Sequence, residues 1–143
     1  TEFAKIPVSS SFYNESVMHG AYLQKLQKRY DKAIQWVEQA LEAREDVPQF
    51  YILYASFLDD TKKYEKAIEV LSRGVSKNPE HAQLHFFLGS MYDRVDNKEK
   101  LIEQMKLVLQ FEKDHSHALN YLAYTYAEMG QNLEDAEQYA LQA

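Results

Sequence analysis

The sequence predicts an all-α fold built from stacked pairs of antiparallel helices. Three observations carry the prediction. The phrase YDKAIQWV at 30–37 returns as YEKAIEVL at 64–71, a spacing of 34 residues. Sliding the chain by that period aligns small residues in three columns: Ala21, Ala55, Gly89 and Ala123; Ala33, Ala67, Leu101 and, after a one-residue insertion, Ala136; Ala40, Gly74, Val108 and Ala143. The 143 residues contain only 4 Gly and 3 Pro, and no alternating β-branched runs, which favours long helices over strands. Small residues recur because two helices approach closely only where the contacting side chains are small.

Eight helices follow, at 11–28, 31–45, 48–61, 64–77, 82–95, 98–112, 116–129 and 133–143. The first departs from the period, with Gly20 where a large residue is expected. The second carries Ala33 and Ala40 on its contact face. Trp36 lies between Ile34 and Val37, a spacing that reads as core. Pro48 opens the third in the first turn, where its missing donor costs nothing. The third and its later counterparts share a column of large residues, Leu58, Tyr92 and Tyr126, with Gln24 as the exception. The fourth has Ala67 and Gly74 for close approach and a Glu69–Arg73 pair at i,i+4. Asn78-Pro79 ends it. The fifth has Gly89 at the small position. In the sixth, Leu101 and Val108 stand where the other copies are small, and a column of Leu41, Val75 and Leu109 continues. The seventh stops at Gly130, where a left-handed residue is wanted. The eighth repeats the small pattern through Ala136.

Charge excludes some classes of function. The net charge is −6, so a broad basic face for nucleic acid is not expected. Residues 114–143 hold five acids (Asp114, Glu128, Glu134, Asp135 and Glu137) and no Lys or Arg, whereas Lys25, Lys28, Arg29 and Lys32 cluster near the start. Solvated faces account for both clusters; attraction between copies of the chain is the alternative. Without cysteine there is no disulfide framework and no thiolate metal site. No run approaches the length of a membrane span. Catalysis has little support: a Gly-rich phosphate loop, a nucleophile elbow and a His-Glu-x-x-His pattern are all missing. Glu99 and Glu103, one helical turn apart, read as solvent decoration.

These patterns resemble the tetratricopeptide repeat. Leu88-Gly89-x2-Tyr92 fits that repeat's first helix. Tyr64, Ala67, Leu71, Gly74 and Pro79 fit its second. Leu101 stands where Ala is usual and Lys113 where Pro is usual, so the third copy is degenerate in its second helix. The resemblance implies an α-solenoid of about four stacked helix-turn-helix units in a right-handed superhelix. Its units are a lead-in or cap at 1–13, a first repeat with a degenerate first helix at 14–47, repeats at 48–81 and 82–115, and a truncated repeat at 116–143. With no capping helix after it, Leu122, Tyr126 and Ala140 are expected at an exposed end, met by further chain, a partner or another copy. The last copy is similar to repeats of bacterial members, many of them exported or attached to the outer membrane, and the absence of cysteine is compatible with that.

The resemblance also places the first helix of each pair on a concave surface. The inner rungs are then Glu15, Met18, His19, Tyr22 and Lys25; Gln49, Ile52, Leu53, Ser56 and Asp59; Gln83, Phe86, Phe87, Ser90 and Asp93; and His117, Asn120, Tyr121, Tyr124 and Ala127. The family's clamp for a C-terminal carboxylate uses Lys, Asn and Arg on such rungs; Asn120 alone matches, which argues against that ligand. Apolar and acidic groups replace the clamp. Ile52, Phe86 and Tyr124 would accept apolar side chains, Ser56, Ser90 and Asn120 would add polar contacts, and Asp59 and Asp93, with Asp60 beside the first, would attract a basic group. Phe87 and Tyr121 read equally as packing within the stack. His81, His85, His115 and His117 read as polar loop residues, not as metal ligands. The expected function is a protein-interaction scaffold that binds a peptide or partner bearing apolar and basic residues, with no cofactor, metal, nucleic acid or membrane insertion. The alternative is a self-assembling module of a larger repeat protein.

Overall fold

The computed structural model describes residues 12–130 and 133–143, with Leu133 as backbone alone. Of the lead-in expected at 1–13, all but Phe12 and Tyr13 lies outside them. The described residues form eight helices and no strand: α1 Tyr13–Leu26, α2 Tyr30–Ala43, α3 Pro48–Asp60, α4 Tyr64–Lys77, α5 Ala82–Arg94, α6 Lys98–Phe111, α7 Ser116–Met129 and α8 Leu133–Gln142. All eight fall within two or three residues of the sequence-based ranges. Among the described residues, no helix is long and apolar enough to cross a membrane.

The hairpins are closed by a turn that repeats with the sequence period. Lys28, Lys62, Asp96 and Gly130 all have positive φ, at 56°, 60°, 57° and 64°. In three of the turns the next residue reaches back across the helix end. The Arg29 N–H donates to the Gln24 carbonyl (2.8 Å), that of Lys63 to Leu58 (2.7 Å) and that of Asn97 to Tyr92 (2.9 Å). This satisfies carbonyls left over at a helix C-terminus and reverses the chain in few residues. Of the four left-handed positions, the sequence marks only Gly130, because the other three are not glycine.

The chain divides into two compact units, Thr1–Asn78 and Pro79–Ala143. In the first, α1 packs on α2 and α3 on α4, and α2 and α1 also touch α3. Its core includes Val17, Ala21, Ala33, Val37, Ala40, Phe50, Phe57, Ala67 and Leu71, each at most 0% exposed. Burying a side chain such as Phe50 contributes about 1.5–3 kcal/mol. The columns of small residues have direct partners here. A Cβ on Gly74 would lie 2.8 Å from Tyr51 Cγ, and one on Gly20 would run into the Trp36 ring. Gly20 therefore departs from the repeat because half-buried Trp36 fills the volume that a large side chain takes elsewhere.

In the second unit α5 packs on α6, α7 on α8, and α6 on α7. Leu101, Met105, Val108, Ala118, Leu122, Tyr126 and Ala136 share one core, with Phe86, Tyr121 and Tyr139 packed against it. Leu101 and Val108 are large where the other copies are small, and both are fully buried; Gly89 makes room for Met105 of α6, since a Cβ there would lie 2.8 Å from Met105 Cε. Leu122 and Tyr126, expected at an exposed end, are instead 0% and 5% exposed. Helix α8 is the reason: Ala136 enters the same core and Tyr139 stacks on Tyr126 at 6.0 Å. Ala140 is exposed, as expected. Two smaller expectations are corrected. Glu69 pairs with Lys66 at 3.4 Å and not with Arg73. His85 is not a loop residue: it sits in α5, 3% exposed, with Nδ1 2.7 Å from Gln104 Oε1 and Nε2 2.7 Å from the Pro79 carbonyl.

Candidate functional site

In the first unit, one face of α1 and α3 opens into a cleft of about 690 Å³ lined by Asn14, Glu15, Met18, His19, Tyr22, Gln49 and Leu53. Residues 15, 18, 19 and 22 recur at i, i+3, i+4 and i+7, so one stripe of α1 supplies a whole wall. Gln49 and Leu53, one turn apart, supply the other. Met18 and Leu53 are half-buried and Tyr22 is 53% exposed, so apolar surface faces the opening while Glu15, His19 and Gln49 lie at its margins. Such a mixture suits a segment with apolar side chains and a few polar anchors. Every lining residue except Asn14 stands on the first two rungs read from the sequence.

The residues singled out on the second rung do not line this cleft. Ile52, Ser56 and Asp59 are half-buried in α3. The Ser56 hydroxyl donates to the Leu53 carbonyl at 2.8 Å, so its proton is committed within its own helix. Asp60 is held by Lys25 at 3.1 Å, and the same ammonium lies 6.0 Å from the centre of the Phe57 ring. That ion pair corrects the expectation that Asp60 joins Asp59 in attracting an incoming cation.

Two tyrosines brace the back of α3. The Tyr51 hydroxyl donates to the Glu45 carbonyl and that of Tyr54 to Glu38 Oε1, both at 2.6 Å. Burial, followed by the bond to Glu38, pushes the Tyr54 phenol well above its ordinary range. Tyr54 thereby ties α3 to α2, and Tyr51 ties it to the connection between them, behind the Gln49–Leu53 wall.

In the second unit Phe86 is the hub of an aromatic cluster. Its ring centre lies 4.9 Å from His115, 5.7 Å from Phe87, 5.8 Å from Tyr121 and 6.1 Å from His117. Phe86 and Tyr121 are half-buried and lean on the core, so much of the Phe86 surface is already spent on α7. Asp93, Asn120 and Tyr124 are exposed, Tyr124 at 67%. Ser90 bonds the Phe86 carbonyl at 3.0 Å.

Two of the histidines cap helices. His81 Nδ1 accepts from the Leu84 N–H and His115 Nδ1 from the Ala118 N–H. The signal was present in the sequence, since His81 and His115 are 34 residues apart and each precedes a helix. Among the described residues, no three histidines or acids gather as metal ligands would.

Comparison with known proteins agrees with this architecture. Residues 26–88 match the family described as tetratricopeptide repeat. No curated protein matches the chain. Among solved structures it is similar to a crystal structure of MamA, at 17% identity over 98% of this chain and 81% of that one, with a TM-score of 0.80. A second MamA structure covers 93% of this chain and 72% of its own, at 19% identity and a TM-score of 0.79. MamA from Desulfovibrio magneticus RS-1 covers 90% and 72%, at 20% identity and a TM-score of 0.74. At these identities the likeness speaks for the fold. With the repeat match over residues 26–88 and the shared all-helical architecture together, this chain has the α-solenoid fold of tetratricopeptide-repeat proteins.

Proposed function

We propose that the chain is a protein-interaction module that holds a peptide segment on the open faces of its first helices. The observation that carries this reading is the α1–α3 cleft, whose walls of Met18, Tyr22 and Leu53 offer apolar surface between polar margins. Repeat helices of this kind receive extended or helical peptides through apolar pockets, with charge choosing among ligands. Ile52, Ser56 and Asp59 share α3 with the Gln49–Leu53 wall, and Asp59 would add acidic character to that helix. On the second unit, Phe86, Ser90, Asp93, Asn120 and Tyr124 form the corresponding surface, led by the exposed Tyr124 ring. The ligand class is an apolar segment carrying a basic residue. Selection of peptides from a display library against the whole chain, followed by titration of Tyr22→Ala and Leu53→Ala, tests it. Each variant should bind the selected peptides about tenfold more weakly, as expected for loss of a central apolar contact. Unchanged affinity in both defeats the cleft reading.

A second reading, self-association, is favoured by the outer side of α1. Leu23 and Leu26 are 43% and 62% exposed, while Phe57, which stands at the Leu23 position of the next copy, is 0% exposed. Sedimentation across protein concentrations separates the two readings: a strict monomer removes the second.

A further inference from the structure

A different edge of the first unit carries charge that its own structure does not use. The α1–α2 and α3–α4 turns lie side by side: Lys25 at the end of α1 pairs with Asp60 at the end of α3, and Thr61 lines the same recess, about 490 Å³, as Lys28, Arg29, Tyr30, Asp31 and Lys32. Lys28, Arg29, Lys32, Lys62 and Lys63 are all exposed, and none forms an ion pair among the described residues. Four of them stand where backbone geometry favours other residues. Lys28 and Lys62 have positive φ, the conformation that Gly130 supplies in the last hairpin. Arg29 and Lys63 are at N-cap positions and give no side-chain cap, whereas Asn97 at the equivalent place caps α6 by accepting the Lys100 N–H at 3.2 Å. Arg29 and Lys63 also face the positive ends of α2 and α4, whereas Lys28 and Lys62 follow the negative ends of α1 and α3. Four positions with unfavourable backbone geometry or no side-chain cap therefore all carry positive charge, in a chain whose net charge is −6.

We propose that these two turns form a docking surface for an acidic polypeptide segment. The cations come as two adjacent pairs, Lys28-Arg29 and Lys62-Lys63, one hairpin apart. Neighbouring helices are about 8–10 Å apart, which an extended chain spans in about three residues. A segment with carboxylate pairs three residues apart therefore meets both. Lys25, already bound to Asp60, does not compete. A long polyanion is disfavoured, because it meets Asp31 inside the recess and, past the cations, Glu65 and a chain of net charge −6, whereas a short acidic segment stays within about one Debye length of the cations. The surface is separate from the α1–α3 cleft and does not depend on it.

The test uses the whole chain and a fluorescein-labelled peptide of the form Glu-Glu-Ala-Glu-Glu with neutral flanks. The chain should bind it, and binding should weaken by about tenfold between about 50 and 300 mM salt. A chain with Lys28→Gly, Arg29→Asn, Lys62→Gly and Lys63→Asn should lose binding by about tenfold or more. The same chain should melt about 4 °C or more higher, since each change removes strain or adds a cap. Tyr22→Ala, which impairs the cleft, should leave this binding unchanged. Failure of the parent chain to bind the peptide overturns the proposal, and so does binding that survives the four substitutions. Substitution-sensitive binding to phosphatidylserine vesicles or to a second copy, in place of the peptide, equally overturns it.

Discussion

Gly74 and Gly89 are both buried at helix–helix contacts, yet they stand in different company. A methyl on Gly74 meets the Cβ and Cγ of Tyr51, which the hydroxyl anchor on Glu45 keeps in place. A methyl on Gly89 meets first the end of the flexible Met105 side chain. Alanine gains up to about 1 kcal/mol of helix propensity at either site, and overpacking costs about 1–3 kcal/mol where neighbours cannot move. Gly74→Ala should therefore destabilise by about 1–2 kcal/mol, and Gly89→Ala should be near neutral, as urea unfolding will show. Tyr54 gives a pH prediction. Its folded phenol titrates above the ordinary value of 10.0, mainly because it is buried and then because it is bonded to Glu38. The unfolded chain therefore releases this proton first. The contribution is complete below about pH 10 and is lost as pH rises towards the folded value. Tyr54→Phe should make stability fall less steeply above about pH 10; an unaltered slope would show that the buried phenol is not a source of the alkaline loss. These residues were unequally legible. Gly74 was visible as a small residue in a column, but the rigidity of its partner was not. Tyr54 carried no signal, because its bond to Glu38 joins residues from two helices.

At the scale of the helix, the turns and caps decide where each element stops. Asn97 and His115 accept a backbone N–H three residues on, at 3.2 and 3.1 Å. Asn97→Ala should cost about 1 kcal/mol, measured as a fall in the urea midpoint with unchanged slope. His85 ties the α5 helix to Gln104 of α6 and to the Pro79 carbonyl, under the stacked Phe111 ring at 5.9 Å. Replacing it by Ala leaves the buried Gln104 amide without a partner, a loss of about 1–3 kcal/mol. Helix positions were legible because 34-residue periodicity and small-residue columns are properties of the backbone path. The left-handed turns were not: Lys28, Lys62 and Asp96 have side chains that ordinarily avoid that conformation, so composition hides them. Nor did the sequence separate residues that line the cleft from their neighbours. Ile52 and Leu53 are adjacent and both apolar, yet Leu53 is the one in the wall.

For the molecule as a whole, the two units obey one rule of assembly with different fillings. The first closes around small residues and the aromatic side chains of α3. The second fills the small positions of α6 with Leu101 and Val108 and fits Met105 against Gly89. Architecture was thus legible from pattern alone, while the surface that distinguishes this protein from others of its fold was not. Rung 1, the most irregular copy in sequence, supplies most of the cleft wall, and a search for regular repeats undervalues it. The fold hosts many partners, so function rests on these particular side chains. The most direct test of the account is a methyl and aromatic NMR titration of the whole chain with a library-selected peptide. The cleft reading predicts saturable shifts at Met18, Tyr22 and Leu53 that vanish in Tyr22→Ala. Saturable shifts confined to residues outside α1 and α3, with those three signals unmoved, would contradict it.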